Sequence, residues 1–130
     1  MIIVHTNEHG SVSVTIPTGE ISIEEVLAKD CPDHAIIINS ADLPNEHNDF
    51  FNAWELVDGK VSVNLTRATE LTKTRLRAER KPLMEAQDVL FQRALESGAD
   101  TKAIVAEKQR LRDITKITAT TLDELKELSA

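Results

Sequence analysis

The sequence predicts an α+β fold, in which a small antiparallel β/α head precedes a long helical hairpin and a short last helix. Two stretches of alternating or β-branched residues, 1–16 and 53–65, are typical of β-hairpins. A long run of strong helix formers then extends from Leu65 to Ile117 and is interrupted once, at residues 97–100. The predicted organisation is a ββαβββ head over residues 1–65, a helical hairpin over 66–117, and a linker with a short helix over 118–130.

The head begins with two predicted strands, residues 1–6 and 11–16, joined by the polar turn 7–10. A short helix is predicted over 22–30, because Ser22 and Glu25 have the spacing of a capping box. The apolar run 35–38 predicts a buried strand, and the polar stretch 40–49, which contains a proline, predicts a loop.

The second hairpin centres on Asp58-Gly59, a dipeptide that suits the two positive φ angles of a type I′ turn. Alternation on either side predicts strands over 53–57 and 61–65. One face of this hairpin is apolar, and we expect the long helix to pack on it. That face comprises Trp54, Leu56, Val61, Val63 and Leu65.

Thr66 is the predicted N-cap of the long helix, and Pro82 predicts a kink or a break near residues 78–82. Gly98 is a natural residue to end this helix, because glycine adopts the left-handed conformation without penalty. Asp100 or Thr101 can then cap the next helix. Since the break is short, the two helices most simply fold back as a hairpin, and the alternative is two nearly collinear helices in a partner's bundle.

Apolar residues recur every seven positions along both long helices, which predicts one continuous stripe. The candidate partner-binding residues are Leu76, Leu83 and Leu90, together with Ile104 and Leu111. A second candidate surface is the strand edge at Val12 to Ile16. The alternative is that these residues are used in the protein's own core. A last amphipathic helix, capped by Thr120 or Thr121, places Leu122, Leu125 and Leu128 on one side.

The net charge of −7 is unevenly distributed. Residues 1–65 hold 2 basic and 11 acidic side chains, whereas residues 66–117 hold 12 basic and 8 acidic ones. No apolar run approaches the roughly 20 residues that span a bilayer, and the N-terminus lacks the basic region of a signal peptide. Cys31 is the only cysteine, so no intrachain disulfide is possible, which fits a reducing compartment.

The pattern of potentially reactive side chains does not predict an enzyme. His5, His9 and His47 have no helical metal-ligand spacing, so no metal or cofactor is predicted. Cys31 follows a helix C-terminus among acidic residues, the opposite of the setting that activates a thiol. The four glycines are isolated and form no phosphate-binding loop.

One basic cluster lies on the long helix. It could contact phosphates, which makes a small nucleic-acid-binding regulator an alternative function. However, the cations spread around the helix, no aromatic residue is interleaved, and the chain is acidic overall. The cluster comprises Lys73, Arg75, Arg77, Arg80 and Lys81.

Residues 49–128 contain an ordered series of short motifs: Asp49-Phe50-Phe51-Asn52-Ala53-Trp54, a hairpin to residues 61–65, Arg75–Leu83, Arg93–Gly98, Lys108–Asp113 and Thr121–Lys126. In order and spacing this series resembles a helical module of small tail-region proteins of tailed bacteriophages, among them tail assembly chaperones and tail-fibre assembly proteins. The resemblance implies a non-enzymatic protein that assists tail or tail-fibre assembly, with a permanent tail component as the alternative. It also implies a tail or fibre protein as partner, a possible homo-oligomer, and a location in the host cytoplasm or the virion tail. It carries no catalytic residue.

Overall fold

The computed structural model describes every residue from Met1 to Ala130 and confirms the α+β class. The chain forms two compact units, Met1–Ala68 and Thr69–Ala130. In chain order the strands and helices are β1 (Ile2–Thr6), β2 (Val12–Thr15), α1 (Ile23–Asp30), β3 (Ile36–Ile38), β4 (Trp54–Val57), β5 (Lys60–Val63), α2 (Leu65–Ser97), α3 (Lys102–Asp113) and α4 (Leu122–Glu127).

The first sheet is antiparallel, with β1 between β2 and β3. Ile2 and Val4 point into one core cluster, whereas Ile3 points to the other face, where it packs with Val26 of α1. Because the first half of β1 is covered on both faces, its residues 2–4 are all apolar instead of alternating.

Two predictions for residues 35–53 were wrong in detail. The strand β3 is half-buried and not buried, because it lies at an edge of the sheet. The predicted loop contains two 3₁₀ segments, Ser40–Asp42 and Asn45–Ala53. Asn39 caps the N-terminus of the first segment, because its side chain accepts a hydrogen bond from the Ala41 amide at 3.0 Å. Polar loop residues readily make such local bonds.

The β4–β5 hairpin turns at Asp58 and Gly59, which have φ angles of 52° and 77°, as the predicted type I′ turn requires. Its apolar face packs against the first sheet, since Trp54 and Val61 join the cluster of Ile2. The first sheet therefore occupies the face on which we expected the long helix to pack. Leu65, predicted at the end of the second strand, is instead the first residue of α2 and is exposed.

The long helix α2 starts two residues earlier than the predicted cap implied. The Asn64 side chain accepts a hydrogen bond from the Arg67 amide at 3.1 Å, so Asn64, and not Thr66, caps the helix. The helix then continues to Ser97 through Pro82, which does not break it. The cost of an interior proline, roughly 3 kcal/mol, is offset by helical structure and packing on both sides.

Gly98 ends α2 as predicted, with φ at 71°. Its amide donates to the Leu95 carbonyl at 3.3 Å, and the Ala99 amide donates to the Ala94 carbonyl at 2.9 Å. These two bonds form a Schellman motif. Of the two predicted caps for α3, Asp100 makes the capping bond, because its side chain accepts a hydrogen bond from the Lys102 amide at 3.0 Å.

Contacts between α2 and α3 confirm the helical hairpin and exclude the collinear alternative. Near the loop, Lys108 pairs with Asp88 at 2.7 Å and lies 5.0 Å from the centre of the Phe91 ring. Farther from the loop, the Arg80 guanidinium donates to the carbonyls of Leu111 and Arg112. The sequence order of these contacts shows that α3 runs antiparallel to α2.

The C-terminal segment is attached to α2. Thr121 caps α4 by accepting from the Glu124 amide at 3.2 Å, and Leu125 is fully buried. Arg75 of α2 donates to the Leu125 carbonyl at 3.2 Å. None of the helices combines the length and apolar character needed to cross a membrane.

Candidate partner-binding surface

The predicted stripe of five apolar residues divides into two groups. Leu76 and Leu111 are completely buried and Ile104 is half-buried, so these three belong to the protein's own core. Leu83 and Leu90 remain 42% and 46% exposed. The five candidate residues therefore do not form one exposed surface, and for Leu76, Ile104 and Leu111 the alternative of a place in the core applies.

The position of α3 explains this division. The residues of α2 that are buried or half-buried between positions 76 and 94 recur at intervals of three and four, as one face of a 3.6-residue helix requires. They are Leu76, Glu79, Arg80, Met84, Gln87, Phe91 and Ala94. Leu83 and Leu90 lie toward one margin of this face, within roughly 60° of its centre, and they remain partly uncovered.

We define the exposed stripe as Leu83, Ala86 and Leu90, all of which are exposed. Their spacing of i, i+3 and i+7 places them on one side of α2. Full burial of a leucine side chain contributes about 1.5–3 kcal/mol relative to exposure. Leaving roughly half of each leucine in water therefore forgoes about 1 kcal/mol per side chain, which a partner that covers the stripe recovers.

The second predicted surface, the strand edge at Val12 to Ile16, is smaller than the sequence indicated. β2 does lie at an edge of its sheet. However, Val12 is 1% exposed and Val14 packs against the same core cluster. Only Ile16, which follows the strand, is strongly exposed at 74%, so this edge offers little apolar surface.

Three members of the predicted basic cluster serve contacts within Thr69–Ala130. Lys73 pairs with Glu70 at 3.3 Å. Arg75 pairs with Glu79 at 2.9 Å in addition to its bond to α4. Arg80 donates to the last carbonyls of α3, where the helix dipole places partial negative charge. These cations stabilise the helical unit.

The pKa of the Glu79 carboxyl lies below its ordinary value. The main cause is a hydrogen bond from the backbone amide of Ala130 to Glu79 Oε2 at 3.1 Å, and the second is the bond from Arg75. Both stabilise the charged carboxylate. This ionised group therefore holds the C-terminal residue against α2 and is structural.

The remaining two basic residues, Arg77 and Lys81, are exposed and line a cleft of about 600 Å³. Arg112 of α3 lies in the same cleft, which we define as the cationic cleft. Its lining holds four cations against one carboxylate: Arg77, Arg80, Lys81, Met84, Glu85 and Arg112.

Arg112 was missed by reasoning from the sequence, which considered only the cluster on α2. A signal was present, because an antiparallel hairpin with a loop at 98–101 brings the last turn of α3 back beside residues 77–84. The folded hairpin thus joins a cation distant in sequence to the two unengaged cations of α2.

The histidines do not converge with other metal-ligating groups. His5 and His34 form an edge-to-face ring pair with centroids 5.8 Å apart, and His34 Nε2 lies 3.0 Å from the Thr6 carbonyl oxygen. No group of three or more His, Cys, Asp or Glu side chains is placed to hold a metal ion. Cys31 is half-buried, with its sulfur 3.9 Å from the Thr15 hydroxyl.

No protein-family model, curated protein or solved structure matches the chain. The exposed stripe and the cationic cleft therefore rest on the chain's own residues and geometry.

Proposed function

We propose that this chain is a non-enzymatic bacteriophage protein that assists tail or tail-fibre assembly by binding a partner protein. The phage context follows from the resemblance of residues 49–128. The observation that carries the binding role is the exposed stripe, since its two leucines stay 42% and 46% exposed at the margin of the packed face of a long helix. The protein acts in the host cytoplasm during assembly, or remains in the virion tail.

The stripe suits the insertion of one helix face into an apolar groove. In that mode a helix uses anchors at i, i+3 or i+4, and i+7, which is the spacing of Leu83, Ala86 and Leu90. Leu90 is followed by Phe91, whose ring is held from the other side by Lys108. The anchors therefore project from a helix that packing within the hairpin has already formed, which reduces the conformational entropy lost on binding.

Site-specific photocrosslinking tests this role. A photoreactive amino acid at position 90 should crosslink to a tail or fibre protein in infected cells. The matched control carries the same group at Gln92, which is exposed and lies two residues, or about 200°, around the helix. Equal crosslinking from both positions, or none from position 90, contradicts a partner on the stripe.

Mass spectrometry of purified phage particles separates the two fates of the protein. An assembly factor is absent from particles and is found in lysates in complex with the crosslinked partner. A stoichiometric amount in particles supports the alternative, a permanent structural component of the tail, and its copy number then gives the symmetry. In either case the stripe is the contact surface.

A second candidate function is a small nucleic-acid-binding regulator. The specific observation in its favour is that Arg77 and Lys81, the two unengaged cations of α2, share a cleft with Arg112 of α3. This function requires DNA or RNA binding that weakens steeply with salt, because cations release counterions from phosphates. Replacing Arg77 and Lys81 with alanine should abolish it.

A further inference from the structure

From the cationic cleft we infer a second binding site, which takes an acidic segment of a partner protein with an apolar side chain among its carboxylates. This site adds the chemistry of one partner segment to the proposed function. It depends on the proposed function in one respect, that the partner is a protein. The juxtaposition of Arg77 and Lys81 on α2 with Arg112 on α3 carries it.

The cleft is built by the middle of α2 and the C-terminal turn of α3. Arg77 and Lys81 are four residues apart and therefore lie on one side of α2. Arg80 fixes the C-terminal turn of α3 beside them, since its guanidinium donates to the Leu111 and Arg112 carbonyls at 3.4 and 3.3 Å. The Arg112 side chain is thereby held across from the α2 cations.

The charges that line the cleft differ in how they are used. Arg80 is engaged with carbonyls of α3, whereas Arg77 and Lys81 make no hydrogen bond or ion pair in the structure. Arg112 is exposed, and its side chain makes no hydrogen bond or ion pair in the structure. Three cations are thus available to carboxylates of a ligand.

The other lining groups favour a peptide over a nucleic acid. Met84 supplies an adaptable apolar surface, suited to an aliphatic or aromatic side chain. No aromatic residue lines the cleft, so bases have no ring on which to stack. Glu85 can accept a hydrogen bond from a peptide N–H, a donor that a phosphate backbone does not have. A volume of about 600 Å³ suits a few side chains, in the range of ordinary ligand pockets.

The cleft and the exposed stripe are separate surfaces of the helical hairpin. Lys81 precedes Leu83 by two residues, which corresponds to about 200° around the helix, so the two side chains project to opposite sides. A partner segment can therefore occupy the cleft while the stripe is covered, and each surface can be tested without altering the other.

The test is fluorescence anisotropy of the full chain with a short labelled peptide of alternating Glu and Leu residues at low salt. We expect saturable binding that the double variant Arg77→Ala/Lys81→Ala weakens about fivefold or more, because each exposed ion pair contributes up to about 1 kcal/mol. The matched control, Arg93→Ala/Lys102→Ala, removes the same charge from exposed positions outside the cleft and should bind like the wild type. Circular dichroism checks that both variants remain folded.

Five further results decide the interpretation. Replacing Glu by Gln in the peptide should abolish binding, and replacing Leu by Ser should weaken it. Equal weakening by both double variants would reduce the effect to net charge and overturn the inference. Tighter binding of a single-stranded oligonucleotide with the same number of charges would overturn it in favour of the regulator. Self-association of the chain that the cleft variant abolishes would identify a second copy as occupant and overturn the assignment to a different partner. None of these results affects crosslinking from position 90, so failure of this inference is distinguishable from failure of the proposed function.

Discussion

Alanine substitutions along the sevenfold leucine repeat of α2 should have very different effects on stability. Leu76 is completely buried, whereas Leu90, two repeats later, is 46% exposed. Removing a fully buried leucine side chain costs about 2–5 kcal/mol, because both burial and packing are lost. For Leu90→Ala we expect a loss of about 1 kcal/mol or less, since roughly half of the side chain already lies in water and alanine is the better helix former.

Urea unfolding followed by far-UV circular dichroism measures this difference, because most of the helix lies in Thr69–Ala130. Trp54 fluorescence reports on Met1–Ala68 as a separate probe. In thermal unfolding, 1 kcal/mol corresponds to about 4–8 °C for a unit of this size, so Leu76→Ala should lower the midpoint by on the order of 10 °C or more. A Leu90→Ala variant that is as unstable as Leu76→Ala would refute the assignment of Leu90 to an open surface, and a neutral Leu76→Ala would refute its place in the core.

Three other substitutions test the ends of the helices. Arg80→Met should destabilise the hairpin by about 1 kcal/mol, because the last carbonyls of α3 lose their donor. Hydrogen exchange should show faster exchange of the amides in the last turn of α3, and Arg80→Lys should bring the rates part of the way back to those of the wild type. Unchanged exchange in Arg80→Met would contradict the role of Arg80 at this helix end. Gly98→Ala should destabilise the protein by about 1–2 kcal/mol through the left-handed conformation alone, since no atom lies within 4 Å of the added Cβ. Gly98→Asn should be less destabilised. Equal stability of the wild type and both variants in urea would contradict the Schellman motif. Glu79→Gln should release the Ala130 amide at pH 7, seen as a shift of its NMR resonance. In the wild type the same release should occur only in acid: the lowered pKa of Glu79 means that its contribution is present above the ordinary value of 4.5 and is lost as pH falls through the folded-state value. A wild-type midpoint at or above 4.5 would contradict this account.

Local rules in the sequence determined most of the secondary structure. Asp58-Gly59 specified its hairpin because a type I′ turn needs two positive φ angles, and Gly98 ended α2 for a similar reason. The short break after Gly98 was enough to predict that α3 folds back on α2. These features depend on a few neighbouring residues, so no knowledge of distant contacts was needed. Of the kink or break predicted at Pro82, the break does not occur, so the local penalty of a proline was not enough to end this helix.

Only the tertiary structure decided what each surface residue does. Leucines at identical spacing became core at position 76 and open surface at position 90, because burial depends on which other elements pack beside each turn of α2. The hairpin also placed Arg112 beside cations that lie 31 to 35 positions earlier in the chain. Burial and charge clustering are properties of elements packed in space. The sequence by itself therefore determined the helices and strands, whereas their packing decided which side chains remain available to a partner.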